Sequence, residues 1–129
     1  MNASAKLIEH ARQAQAKSQA AYSRYRVGAA IVTRAGNIYV GCNIESGAYS
    51  TTICAERVAI FTAIAAGETE FDSLAVITAD GGTPCGSCRQ VIHEQCGDIT
   101  IHIANNANDE VESVTIAELL PKPFTLNER

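Results

Sequence analysis

The chain has 129 residues, enough for one domain with a sizeable buried core, so no disulfide framework is needed to hold it. With 47% hydrophobic and 19% charged residues, the composition excludes a disordered chain. Ten Lys and Arg stand against fourteen Asp and Glu, a formal charge of -4, and the basic residues are scattered, which excludes the basic stripe of a nucleic-acid groove.

Residues 3–21 are rich in Ala, Gln and Lys and predict an amphipathic helix, without an apolar core of signal-peptide length. No stretch approaches the roughly 20 apolar residues of a membrane span. The expected location is cytoplasmic, with no membrane partner. Five cysteines in that setting favour metal or catalytic roles over disulfides, and the odd count leaves at least one unpaired.

Residues 27–33 (VGAAIVT) predict a buried strand, 34–37 (RAGN) a turn, and 38–42 (IYVGC) a second strand, together a hairpin. Residues 43–52 (NIESGAYSTT) are small and polar and predict a loop. A helix is expected over 54–66, stopped by Gly67, then a strand over 74–78 and a loop over 79–84. A helix over 85–95 ends near Gly97, a strand covers 99–104, a turn 105–109, and a short helix 115–120 is stopped by Pro121. Strands joined through helices argue for parallel pairing and the hairpin adds an antiparallel part, so the fold expected for a single domain over 1–129 is α/β. Its form would be a three-layer α/β/α sandwich around a mixed central sheet.

Residues 83–90 read TPCGSCRQ. Cys85 and Cys88 sit three apart at a helix start, so both sulfurs reach one side, and the helix N-terminus favours thiolate over thiol. Taken alone the pair fits a metal site, a redox disulfide or two buried thiols. Cys54 opens the preceding helix in ICAER. Three thiolates from two helix starts match a zinc site with one position left open, the arrangement of catalytic rather than structural zinc. Glu56 would be a general acid/base beside such a metal. Residues i and i+2 do not share a helical face, so spacing alone does not place Glu56 at the open side.

C-A-E followed about thirty residues later by P-C-x-x-C resembles the zinc-dependent deaminase superfamily. The strings ICAERVAIF and PCGSCRQVI resemble the short, single-domain cytidine deaminases that act on free nucleosides, as do GCNIESGAYS, YSRYRVGAA and VTIAELLPKPF. The similarity runs in order over nearly the whole chain.

The resemblance implies zinc-dependent hydrolytic deamination of cytidine and 2′-deoxycytidine, with one Zn²⁺ per subunit held by Cys54, Cys85 and Cys88. Glu56 would shuttle protons between the attacking water, the pyrimidine ring and the leaving amine. Arg57 would donate to the sulfurs and offset their charge; its bland reading is a surface ion pair. Asn43 and Glu45 match residues that hold the ribose hydroxyls, although composition alone makes them a polar turn. The backbone of Ala55 would meet the base edge. Tyr25 stands where the family usually has Phe and would pack near the base. Tyr49 and Phe124 match residues that reach a neighbouring subunit's site, since short family members are homotetramers with shared active sites; ordinary packing is the alternative for each aromatic. Cys42 and Cys96 are expected as buried structural thiols, and His10, His93 and His102 match no ligand position.

Tyr25, and Ser46-Gly47 where Asn-Ala is common, put the shape of the pocket in question, so the runner-up substrates are a modified cytosine nucleoside and blasticidin S. A polynucleotide-editing deaminase would share the metal motifs but conflicts with the acidic charge. A non-catalytic zinc module would need a fourth ligand, and no Cys or His is placed to supply one. A thiol–disulfide oxidoreductase on Cys85 and Cys88 would leave Cys54-Ala55-Glu56 without a role.

Overall fold

The structure, a computed structural model, describes residues 2–126. Met1 and residues 127–129 of the domain expected over 1–129 lie outside the described residues. In chain order the elements are α1 (Ala3–Gln15), β1 (Gly28–Thr33), β2 (Ile38–Cys42), α2 (Ala55–Ala65), β3 (Phe71–Thr78), α3 (Gly86–Cys96), β4 (Thr100–Asn105), β5 (Glu112–Thr115) and α4 (Ile116–Leu119), with a 3-10 turn at Tyr49–Thr51.

The strands are built to be covered on both sides. Ala29 and Ile31 of β1, Leu74 and Val76 of β3, and Ile101 and Ile103 of β4 share one face, packed with Ile60 of α2, Ile92 of α3 and Ile116 of α4. The alternate residues Ala30, Ala75, Ile77 and Ala104 meet Leu7, Ile8 and Ala11 of α1 on the other face. That second face is mostly alanine, so α1 lies close against the sheet. The result is the expected three-layer α/β/α sandwich.

The sheet order is β2-β1-β3-β4-β5. β3 and β4 are parallel through α3, and β1 is antiparallel to both β2 and β3, as the mixed-sheet reading anticipates. β5 is the departure: Glu112–Thr115 pairs antiparallel with β4 where the sequence suggests only a turn and then a helix. Four residues with one apolar side chain, Val114, carry too little period-2 signal to stand out. The short helix follows at Ile116, with Thr115 and Glu118 forming a capping box.

The first helix stops six residues short of the expected 3–21. Its continuation is made of good helix formers, but Gln19 takes up backbone bonds with the β2 exit instead: its N–H donates to Asn43 O at 3.0 Å and its carbonyl accepts from Glu45 N at 2.9 Å. Long-range pairing overrides local propensity here.

Register places the site. Gly28 is opposite Cys42 on one side and Ile77 on the other, so the start of β1 and the ends of β2 and β3 share one edge of the sheet. α2 is held against that edge by Gly41, where an added Cβ would lie 2.5 Å from both Ala55 O and Ala59 N. Those are rigid backbone atoms, so Gly41→Ala is expected to cost about 3 kcal/mol by overpacking, read as a lower denaturation midpoint at unchanged m-value.

Candidate active site

Cys54 and Cys85 are the N-cap residues of α2 and α3, each with an extended backbone. They therefore stand just ahead of the helices rather than inside them, and the positive ends of two eleven-residue helices converge on their sulfurs. Cys54 Sγ is 3.7 Å from Cys85 Sγ, and Cys85 Sγ is 3.6 Å from Cys88 Sγ. All three sulfurs lie within 4.8 Å of one another.

Those separations test the fit to a metal. Zinc–sulfur bonds of about 2.3 Å at tetrahedral angles put sulfurs about 3.8 Å apart. A disulfide needs about 2.05 Å, far shorter than either sulfur–sulfur contact. The residues present fit a zinc ion held by three thiolates, with no other His, Cys, Asp or Glu joining the group among the described residues.

The polar surroundings support the anionic form. Hydrogen bonding from the Cys88 thiol, then from Arg57 and Cys85, pulls the Cys54 thiol down to about 5 despite partial burial. Cys88 is pushed the opposite way, by the same bond and by burial. Arg57 Nη2 donates to Cys54 Sγ at 3.3 Å. The buried Nε of Arg57 has no hydrogen-bond partner among the described residues, and the guanidinium is held more firmly protonated by the Cys54 sulfur.

Glu56 is 4% exposed. Burial, reinforced by the Cys54 charge, pushes its carboxyl up to about 7, suited to both taking and giving a proton near neutrality. Because Cys54 is a cap with extended backbone, the helical-face objection to an i, i+2 pair does not hold, and both side chains line one cavity of about 260 Å³.

The same cavity receives Asn43, Glu45 and Tyr25. Asn43 is buried at the β2 exit; its Nδ2 donates to Tyr25 O at 2.8 Å, and its Oδ1 accepts from Val27 N at 3.0 Å and from the Ser18 hydroxyl. One amide hydrogen is left for a ligand. Glu45 Oε1 accepts from Tyr22 N and Ser23 N, both at 2.9 Å, and Oε2 accepts from the Ser23 hydroxyl. The Ser23 hydroxyl and these N–H groups hold the Glu45 carboxyl below the usual range, so it faces the cavity ionised.

The structure does not bring every candidate into this cavity. Ala55 is fully buried beside it, Tyr49 is 77% exposed and packs edge-on to Tyr22, and Phe124 is 62% exposed. Phe124 is tied by its backbone to Gln90, with N–H to Oε1 at 3.1 Å and carbonyl to Nε2 at 2.8 Å. Cys96 is held up to about 12 by burial and, like Cys42, lies outside the sulfur cluster. His102 bonds Ser113 Oγ at 2.8 Å on the sheet, away from the metal ligands.

Ser23, Val27, Thr52, Thr78, Gly82 and Thr83 also line the cavity and escape sequence reasoning. Their types are common loop residues, and only the shared sheet edge collects them. Arg89, the residue after Cys88, is a further omission: it donates to Pro84 O at 2.7 Å, Thr83 Oγ1 at 2.8 Å and Leu119 O at 2.8 Å. It braces the ligand-bearing loop from behind.

The chain matches the family described as "Cytidine and deoxycytidylate deaminase zinc-binding region" over residues 1–104. It is 45% identical over 123 residues to a cytidine deaminase of Sporosarcina psychrophila, covering 93% of this chain and 90% of that protein. A blasticidin-S deaminase of Bacillus cereus is 31% identical over 115 residues, with 81% of each chain covered. The crystal structure of a cytidine deaminase from Burkholderia pseudomallei superposes with a TM-score of 0.90 at 40% identity, covering 96% of this chain and all of that one. A three-thiolate zinc site beside a buried carboxyl, on an α/β/α sandwich, is that of a zinc-dependent deaminase. The chain belongs to the cytidine and deoxycytidylate deaminase zinc-binding family.

Proposed function

We propose that this protein, one domain over residues 1–129, hydrolyses the 4-amino group of free cytidine and 2′-deoxycytidine. The observation that carries the reading is the single cavity in which Glu56 and, from the three-cysteine cluster, Cys54 and Cys85 face Asn43 and Glu45, with Cys88 buried behind them. One end supplies deamination chemistry and the other grips sugar hydroxyls.

Cys54, Cys85 and Cys88 would hold zinc, which when bound supplies the Lewis acidity that makes water a nucleophile near neutral pH. Glu56 accepts a proton from the attacking water and delivers it to the ring nitrogen beside C4. The new C–O bond makes C4 tetrahedral. A second proton relayed by Glu56 lets the C–N bond break, so water and cytidine become uridine and ammonia. Arg57 and the two helix N-termini offset the negative charge of the sulfurs. Ala55, at the start of α2, offers backbone to the base edge. Glu45, ionised and fixed by three donors, accepts from a ribose hydroxyl, and Asn43 donates its remaining amide hydrogen.

Glu45→Gln is expected to raise the KM for cytidine about 10-fold with a smaller fall in kcat, the loss of one charge-assisted hydrogen bond of about 1.5 kcal/mol. Steady-state assays on cytidine check this; an unchanged KM removes Glu45 from the sugar site.

Exposed Tyr49 and Phe124 fit contacts with a neighbouring subunit better than roles within one chain, which supports a homotetramer with shared active sites. Val40, Ile44, Phe61 and Ile64 add exposed apolar surface on and near β2 and α2. Light scattering should give the mass of four chains. No described helix is long and apolar enough to cross a membrane, and a cytoplasmic enzyme of free nucleosides, without nucleic-acid or membrane partners, is part of the same reading.

Blasticidin S is the second substrate to test, because the Bacillus cereus relative carries that activity in its name. An absorbance assay on cytosine, cytidine, deoxycytidine and blasticidin S, with zinc quantified in the same sample, decides. The two nucleosides should turn over fastest; inactivity on all four with zinc bound overturns the reading.

A further inference from the structure

Besides Thr52, Ile53, Cys54 and Glu56, the cavity has two walls from different parts of the chain. Residues 22–27 and 43–45 form one, knitted by the bonds of Asn43 to Tyr25 O and of Ser23 to Glu45. The stretch from Thr78 through Gly82 to Cys85 forms the other and carries a metal ligand. Tyr25 Oη joins these walls: it donates to Asp80 Oδ1 at 2.6 Å, with the Thr78 hydroxyl and the Gly82 N–H also against the phenol oxygen.

Asp80 is fixed on its own side. Thr78 Oγ1 donates to Asp80 Oδ1 at 3.3 Å and accepts from Gly81 N and Gly82 N, each at 2.8 Å. Gly81 has φ +80, which glycine adopts without strain and which folds the loop back on Thr78. A Cβ on Gly82 would lie 2.6 Å from Tyr25 Oη, so the phenol sits directly on the loop backbone. Tyr25 is 37% exposed as a residue, and partial burial followed by the bond to Asp80 raises its phenol above the usual range. The bond to Asp80 runs from one part of the cavity lining to a loop 55 residues away in the chain. It sets the spacing of two walls.

We propose that the Tyr25–Asp80 hydrogen bond is a latch that holds the Cys85-bearing loop at a fixed distance from the sugar-gripping wall, so that Tyr25 and Asp80 are positioning residues for nucleoside binding. The inference rests on the nucleoside reading above for its kinetic consequence. The aromatic ring can pack near the base with or without a hydroxyl, so Tyr25→Phe isolates the latch from ring packing.

The test is a double-mutant cycle on the zinc-loaded enzyme with Tyr25→Phe, Asp80→Ala and the pair combined. Each single change should raise the KM for cytidine about 3- to 10-fold, the reach of one partly exposed hydrogen bond, with the change on KM rather than kcat and zinc content unaltered. The double variant should be no worse than the poorer single one. Asp80→Asn keeps an acceptor oxygen and should recover most of the lost affinity. A KM unchanged in Tyr25→Phe, or multiplicative effects in the double variant, overturns the latch. Amide exchange of Gly81 and Gly82 reads the latch without any substrate: it should quicken equally in both single variants, and unaltered exchange overturns the proposal. Wild-type inactivity on every nucleoside, with exchange quickened as expected, would instead count against the function and leave the latch supported.

Discussion

Glu56→Gln is expected to lower kcat on cytidine by about 10³-fold or more while the variant still folds and still binds zinc. The substitution keeps the shape of a side chain that is 4% exposed, and it removes the only property the reaction uses, a carboxyl poised at about 7. An amide can neither take the proton of the attacking water nor hand one to the leaving amine. Binding should survive, because Asn43 and Glu45 are untouched at the far end of the cavity. The measurement pairs single-turnover rates with zinc per chain and a nucleoside titration. A near-normal rate would remove Glu56 from its role, and lost zinc would show that the change had broken the site instead.

Cys85→Ala should have the second large effect. Cys85 is the exposed member of the cluster and caps α3, so its truncation removes little packing and mainly removes a ligand. Two thiolates fall short of the three protein ligands of a catalytic zinc site, and activity should fall by about 10³-fold or more with zinc well below one per chain. Metal binding that is folding free energy disappears with it. A ligand present at about 1,000 times its dissociation constant contributes about 4 kcal/mol, so a shift in Tm of roughly 15 °C is expected for a domain of this size. Wild-type protein stripped by a chelator should show the same Tm, and zinc should restore only the wild type. Full zinc content in the variant would mean that the three sulfurs do not form the site.

The cysteines that cluster and the buried Glu56 near them stood out in the sequence because the spacing within each motif is local. Cys54 and Glu56 fall within three residues, and Cys85 and Cys88 within four, so two short strings taken together are enough to suggest the chemistry. Both helices were equally plain from apolar content and glycine stops. Arg57 came with them as a neighbour in sequence. β5 was not legible, since four mostly polar residues become a strand only by pairing with β4. The early end of α1 was not legible either, because Ala, Lys and Gln after residue 15 favour helix and only the contact of Gln19 with the β2 exit forbids it.

By itself, then, the order of residues determined the three-layer architecture and marked out the cysteines and the nearby acid, because these depend on periodicity and on neighbours a turn apart. The tertiary structure alone decided that Glu56 reaches the cysteine side of a cavity, since an N-cap with extended backbone, not a helical face, sets that direction. It also decided that Tyr25 turns its hydroxyl to Asp80, 55 positions away, across the mouth of the site. The register of β1 between β2 and β3 brings those segments to one sheet edge, and a pairing between distant strands leaves no mark in any short window of the chain.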